Sequence, residues 1–323
     1  MKVNRRKILG LAGAVFLPGV VQAALPALAK IIVPYAAGGP FDFVGRQLAE
    51  QLRGTLATSV VVDNRAGAAG RLAIDLLKQA PPDGTMLMIN AGGIQSLFPY
   101  VFKNLNYDPF RDVAPVSLTH KIEFGFAVGE AVPATVKTLK DYVAWVKGDL
   151  KRGSFATPGA GTPLHFLPVL VGKEAGVDLT PVHYRGAATI WPDFFGGVIP
   201  AASLPLTTLL QQVATGKVRI IATSGAVRHK FSPDAPTFAE QGFPQLTSSD
   251  WLAVYVSGRT PPDVQEQLSA MVRQALAQPA LVESFAKAYM EPFPSTPAQA
   301  VQLARSDSLH WSKAIKLIGY TPE

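Results

Sequence analysis

The sequence predicts an α/β protein of two domains, on three observations. Short apolar runs without polar alternation recur along the chain, as expected of strands covered on both faces. Stretches with apolar residues three and four apart lie between them and read as amphipathic helices. The length, 323 residues, exceeds what one domain of ordinary size uses. Strands alternating with helices favour a parallel sheet with right-handed crossovers.

In chain order, strands are predicted at 30–35, 59–63, 85–90, 124–128, 153–156, 181–183 and 218–223. The runs Ile31-Ile32-Val33, Val60-Val61-Val62 and Met86-Leu87-Met88-Ile89 carry the signal most clearly. Phe41, Val44, Leu48 and Leu52 mark a helix after the first strand. Val264, Leu268, Met271, Val272 and Leu276 mark another, opened by Pro261-Pro262-Asp263, since proline suits a first helical turn. Pro279 opens a further helix and Pro297 a last one, ending at Gly319. The last seventy residues therefore read as helical, a tail without further strands that packs back on an earlier domain. No linker-like stretch separates two halves, so the domains are expected to share crossings of the chain.

Composition removes several classes. A hydrophobic fraction of 48% against 16% charged residues excludes a disordered chain. The absence of cysteine excludes a disulfide scaffold, thiol catalysis and Cys-ligated metal. Lys2, Arg5, Arg6 and Lys7 supply four of the net +7 charge, and residues 1–23 hold no acid. What remains is too small to read as a nucleic-acid surface. The same N-terminal segment runs from basic residues into an apolar stretch at 8–21 and then Val21-Gln22-Ala23, the layout of a cleaved secretory signal. The stretch is short for a membrane span and is interrupted by Gly10, Gly13, Pro18 and Gly19. Asn4-Arg5-Arg6-Lys7-Ile8-Leu9 is also similar to a twin-arginine signal. Either route exports the mature chain, which is expected to be soluble.

No catalytic signature is present: no G-x-S-x-G, H-E-x-x-H, P-loop or complete G-x-G-x-x-G. The five histidines are scattered, and His310 beside Trp311 reads as packing. A hydrolase using Ser154, His165 and Asp193 would lack its elbow and oxyanion sequences. No enzyme activity, cofactor or metal is therefore expected. What recurs is glycine directly after a strand: Ala36-Ala37-Gly38-Gly39-Pro40-Phe41-Asp42, Ala91-Gly92-Gly93, and Thr157-Pro158-Gly159-Ala160-Gly161-Thr162-Pro163. Such turns let a ligand approach the backbone, and a following helix aims free N–H groups and a positive dipole end at it. Strand ends of this kind are where α/β proteins bind small anions. Glycine also serves turns that bind nothing, so the repetition carries the argument.

These residues resemble the periplasmic solute receptors of tripartite tricarboxylate transporters, the Bug receptors. Ile31-Ile32-Val33-Pro34-Tyr35-Ala36-Ala37-Gly38-Gly39 resembles the family's I-V-P-F-x-x-G-G, and Asp42 its following aspartate. The run from Val60 to Gly70 resembles V-V-V-[ED]-N-[RK]-x-G-A-x-G, and that from Phe155 to His165 resembles [YF]-[AG]-[ST]-x-G-x-G-[TS]-x-x-H. Val182-His183-Tyr184-Arg185-Gly186 is similar to V-P-Y-[KR]-G, and Pro236-Thr237-Phe238-Ala239-Glu240-Gln241-Gly242 fits a later stretch. The resemblance covers nearly the whole mature chain. It implies a bilobal, periplasmic-binding-protein-like fold, a Venus flytrap, with lobe one at 24–123 and 248–323, lobe two at 124–247, and the helical tail packed on lobe one.

It also implies a monomeric receptor that delivers a small carboxylate to a membrane permease, with no nucleic-acid partner. A ligand sensor on the same fold, without its own permease, is the alternative. The ligand turns would be Gly38, Gly39 and Asp42 in lobe one and Thr157, Gly159, Ala160, Gly161 and Thr162 in lobe two. Gly92 belongs to the third glycine turn, and His165 is either a pocket residue or a helix-packing residue. Two departures bear on the ligand. Pro40 and Phe41 stand where the family often has hydroxyls, so the pocket gains an aromatic unless Phe41 is only a helix-face residue. Pro200 and Leu204 stand where the family commonly has aspartates, which disfavours an amino-acid ligand and inclines the reading toward an aromatic or apolar-tailed carboxylate.

Overall fold

The computed structural model describes residues 25–67 and 70–322; the export leader expected at 1–23 lies outside them. The chain first builds β1 (Leu28–Val33), α1 (Pro40–Leu52), β2 (Ser59–Asn64), α2 (Arg71–Gln79), β3 (Met86–Ala91), the one-turn helices α3 (Gly93–Ser96) and α4 (Phe98–Val101), and β4 (Val113–Ile122). It crosses at Glu123 into β5 (Phe124–Val128), α5 (Leu139–Lys147), β6 (Ser154–Thr157), α6 (Pro163–Ala175), β7 (Thr180–His183), α7 (Trp191–Phe195), β8 (Ala201–Pro205), α8 (Leu206–Val213) and β9 (Arg219–Thr223). Residues 224–249 lead back to β10 (Asp250–Ser257), α9 (Pro262–Leu276), α10 (Pro279–Lys287) and α11 (Pro297–Ile318).

Two five-stranded sheets result, ordered β2-β1-β3-β10-β4 and β7-β6-β8-β5-β9. In the first, β1 runs parallel to β2 and β3, while β10 opposes β3 and β4. In the second, β6 runs parallel to β7 and β8, while β5 opposes β8 and β9. Both sheets are therefore mixed, not purely parallel. The cause is the double crossing: β5 and β10 enter their sheets from the edge at which the neighbouring strands end, so they must run the other way. The same crossing turns the C-terminal edges of β1, β3 and β4 toward those of β6 and β8, because β4 ends at Ile122 and β5 begins opposite Pro205.

Packing explains the elements. Val44, Leu48 and Leu52 of α1 are buried against Ile31 and Val33 of β1 and Leu268, Val272 and Leu276 of α9. Each such side chain contributes about 1.5–3 kcal/mol, an upper figure against an extended unfolded chain. Three strands were not anticipated by the sequence pattern. β4 contains Pro115, tolerated because β4 is an edge strand and Pro115 meets Tyr255 next to a register shift. Its buried Ser117 and Thr119 are satisfied locally, their hydroxyls donating to Leu118 O and Leu252 O. β8 is built from small residues, Ala201, Ala202 and Ser203, all buried between strands. β10 interrupts the region read as helical. The tail helix α11 opens with a Thr296/Gln299 capping box and ends at Gly319, φ +74°. Ala300 and Ala304 pack on the first sheet, and Trp311 and Ile315 join Leu97, Val101 and Phe166 of α6, so α11 also reaches the second lobe.

Candidate functional site

The facing sheet edges carry the glycine turns. After β1, Gly38 has φ +86°, a backbone state open to glycine, and its N–H donates to Asp42 Oδ2 at 2.9 Å. Arg46 Nε donates to the same oxygen at 2.9 Å. Burial pushes the Asp42 carboxyl up, but Arg46, the Gly38 amide and Asn64 more than offset this and hold it below the usual range. Asn64 Nδ2 donates to Tyr35 O at 3.1 Å, tying the end of β2 to the turn. Asp42 is thus an internal brace of the turn. Phe41 packs on Tyr35, ring centroids 4.4 Å apart, and also against the core under α1.

After β6, Gly159 and Gly161 have φ +156° and +69°, and Thr162 caps α6 by accepting from His165 N. The Thr162 hydroxyl donates to Gly159 O, and Gly161 N–H donates to His165 Nδ1 at 3.3 Å. His165 stacks on Phe166 and meets His183 edge-on at 4.9 Å, so it both braces the turn and packs beside it. Ala160 is exposed at the tip. Thr157 is fully buried at the strand end, and its Oγ1 meets no hydrogen-bond partner among the described residues. A buried hydroxyl without a partner costs about 1–3 kcal/mol, a cost a ligand acceptor at this strand end would remove.

The third turn differs. Gly92 is buried, and a Cβ there would lie 2.3 Å from the Trp251 ring, so close packing explains this glycine. Its N–H donates to Trp251 O at 2.8 Å, Trp251 N–H donates to Asp250 Oδ1 at 2.8 Å, and a Cβ on Gly93 would lie 3.6 Å from Asp250 Oδ2, so the Asp250 carboxylate lies against this turn. The protein's own carboxylate already uses this turn. Leu204 also stands apart: its side chain is fully buried with Ile190, Phe194 and Leu209 in the core of the second sheet, not on the facing edge. The leucine there is a packing residue, so the inference drawn from it about the ligand loses its footing.

Glu123 was not singled out by the sequence. It is the single residue between β4 and β5, and the other crossing passes beside it: a Cβ on Gly225 would lie 2.6 Å from Glu123 Oε2. That oxygen is buried without a partner among the described residues. Burial pushes Glu123 up to about 7; Lys121 opposes the rise and Glu291 adds to it. Cavities of about 360 and 340 Å³ flank the crossing and share Lys121 and Glu123. Among the described residues no group of three or more His, Asp or Glu is placed to hold a metal ion.

Residues 44–320 match the tripartite tricarboxylate transporter family receptor, TctC. The chain belongs to this family. A protein of Agrobacterium vitis, the UPF0065 protein in the TAR-I ttuE-ttuC' intergenic region, is 31% identical over 98% of this chain and 93% of its own length. Among solved structures, the periplasmic binding protein BugD is 28% identical with a TM-score of 0.79, covering 92% of this chain and 99% of that one. R. palustris Rpa4515 with adipate has a TM-score of 0.83 at 24% identity, over 92% of this chain and 99% of that one. The TctC chain described here is accordingly a periplasmic-binding-protein-like, non-catalytic solute receptor of the periplasm.

Proposed function

We propose that this TctC receptor captures a small carboxylate between its two sheet edges and delivers it to a tripartite tricarboxylate permease. The observation that carries the reading is the pair of open glycine turns, after β1 and β6, with a buried, unpartnered Thr157 hydroxyl at the second. The residues assigned to the ligand are Gly38, Gly39 and Phe41 in lobe one and Thr157, Gly159, Ala160, Gly161 and Thr162 in lobe two. Asp42 and His165 hold these turns in shape. Adipate in a protein of the same fold supports the ligand class. Lobe one comprises 24–123 and 248–323, lobe two 124–247. The chain acts as a monomer after removal of the leader near Ala23. A ligand touching both edges favours the closed state, and closure is what a permease would read. Deleting the gene tests the delivery step: uptake of the bound carboxylate should fall to background. Intact uptake with a lost signalling response would contradict transport and favour the sensor.

A further inference from the structure

Of the three glycine turns, the one on β3 is the one with a carboxylate of the protein itself against it. The strand register locates that carboxylate. Leu252 pairs with Ala91, so Asp250 lies beyond the end of β3, beside Gly92 and Gly93. On the other side of β3, Ile32 pairs with Met88, which brings Tyr35 level with Ala91. Asp250 therefore sits on the same sheet edge as the β1 turn, with β3 between them, and its charge adds to the rise that burial causes in the Tyr35 phenol. Its carboxylate accepts from Trp251 N–H at 2.8 Å and faces the Gly92 and Gly93 amides.

The geometry points to Asp250 as a specificity residue of the cleft: it places a fixed carboxylate where a second ligand carboxylate would otherwise lie, and so selects monocarboxylates over dicarboxylates. The inference rests on the carboxylate reading above and deepens it. Two like charges sharing one partly enclosed edge disfavour each other strongly. Asp250 is already short of compensating charge. Burial, with Asp307 of α11 adding to it and the three amides opposing it, pushes the group up to about 7. The Asp307 carboxylate accepts from Trp251 Nε1 at 2.8 Å, so the nearest second carboxylate is itself engaged. A ligand reaching this edge with an apolar or hydrogen-bond-donating end avoids the repulsion. The Tyr35–Phe41 ring pair beside it offers such an end a surface.

The test is calorimetric titration of residues 24–323 at pH 8 with two matched pairs, hexanoate against adipate and benzoate against terephthalate. The parent should bind the better monocarboxylate about tenfold or more tightly than its dicarboxylate partner, a difference of about 1.4 kcal/mol or more. In Asp250→Asn the dicarboxylate should gain about tenfold while the monocarboxylate stays within about twofold. Asp250→Ser gives the same readout if the asparagine amide disturbs the turn. A parent that binds each dicarboxylate as tightly as its partner overturns the inference and leaves the receptor reading standing. So do variants that change both ligands equally. A folded parent that binds none of the four but is stabilised by another carboxylate overturns this inference alone; one stabilised by no carboxylate overturns the carboxylate reading with it.

Discussion

Replacing Gly161 by valine tests whether the β6 turn forms the site. Gly161 has φ +69°, and a left-handed conformation costs a side-chain-bearing residue about 1–2 kcal/mol. A Cβ would lie 3.4 Å from the Tyr320 hydroxyl and 3.6 Å from Val101 Cβ, so it just fits. The two methyls of valine reach further and add an overpacking cost of about 1–3 kcal/mol. The sum, about 2–5 kcal/mol, is smaller than a typical stability of about 5–15 kcal/mol, so Gly161→Val should remain folded. Relief comes by moving the turn away from Val101 and Tyr320, which would misalign the backbone proposed to meet the ligand. Hydrogen bonds to a charged group are worth about 1.5–3 kcal/mol each, so affinity should fall about 10- to 100-fold. The control is Gly216→Val: φ is +73°, but no atom lies within 4 Å of its Cβ. It carries the backbone strain alone and should leave binding unchanged. Calorimetry with the carboxylate that most stabilises the parent reads the affinity, and circular dichroism melts read the fold. Gly161→Val binding at parental affinity would refute the argument.

Three further outcomes follow from the same geometry. Thr157→Val keeps the shape and removes the unpartnered hydroxyl; the melting temperature should hold or rise slightly while carboxylate affinity falls about tenfold. Leu204→Ala should cost about 2–5 kcal/mol in urea unfolding, yet leave the order of ligand preference unchanged, because the side chain lies in the core of the second sheet. Glu123 has its folded value raised to about 7 from 4.5, so its contribution is fully present below pH 4.5 and is lost as pH rises through 7. Discounted for its partial exposure, the loss is about 1–2 kcal/mol. Glu123→Gln should therefore be more stable than the parent at pH 8 by that amount and no more stable at pH 4.5, read by urea unfolding at both values.

Much of the architecture was legible because burial leaves a plain pattern. Ile31-Ile32-Val33 lies in β1 and is covered on both faces, which demands a continuous apolar run. Val60-Val61-Val62 lies in the edge strand β2, where Val61 is exposed, so there the same pattern marks a strand covered on one face only. β8 was hidden because its buried positions carry the small residues Ala201, Ala202 and Ser203 in place of branched ones. β4 was hidden by Pro115 and by polar side chains whose satisfaction inside the fold no linear pattern reveals. β10 was readable: Trp251-Leu252-Ala253-Val254-Tyr255-Val256 is rich in aromatic and branched residues, and only the prolines after it suggested helix throughout. The β1 and β6 turns were legible because positive φ requires glycine there. The roles of Gly92 and Leu204 were not, since they depend on Trp251 and on the second sheet's core, which the fold brings to them. Asp250 and Glu123 carry no local motif; the two crossings of the chain set Glu123 beside Gly225 and Asp250 beside the β3 turn.

Capture of a carboxylate by the facing turns is tested most directly by the melting temperature of residues 24–323 against succinate, citrate, glutamate, nicotinate and terephthalate. A ligand at a hundredfold excess over Kd adds about 2.7 kcal/mol, a rise of about 4 °C for a chain of this size. The account predicts such a rise for at least one of them, and for an aromatic acid before glutamate. A folded chain that melts at one temperature in all five would contradict it.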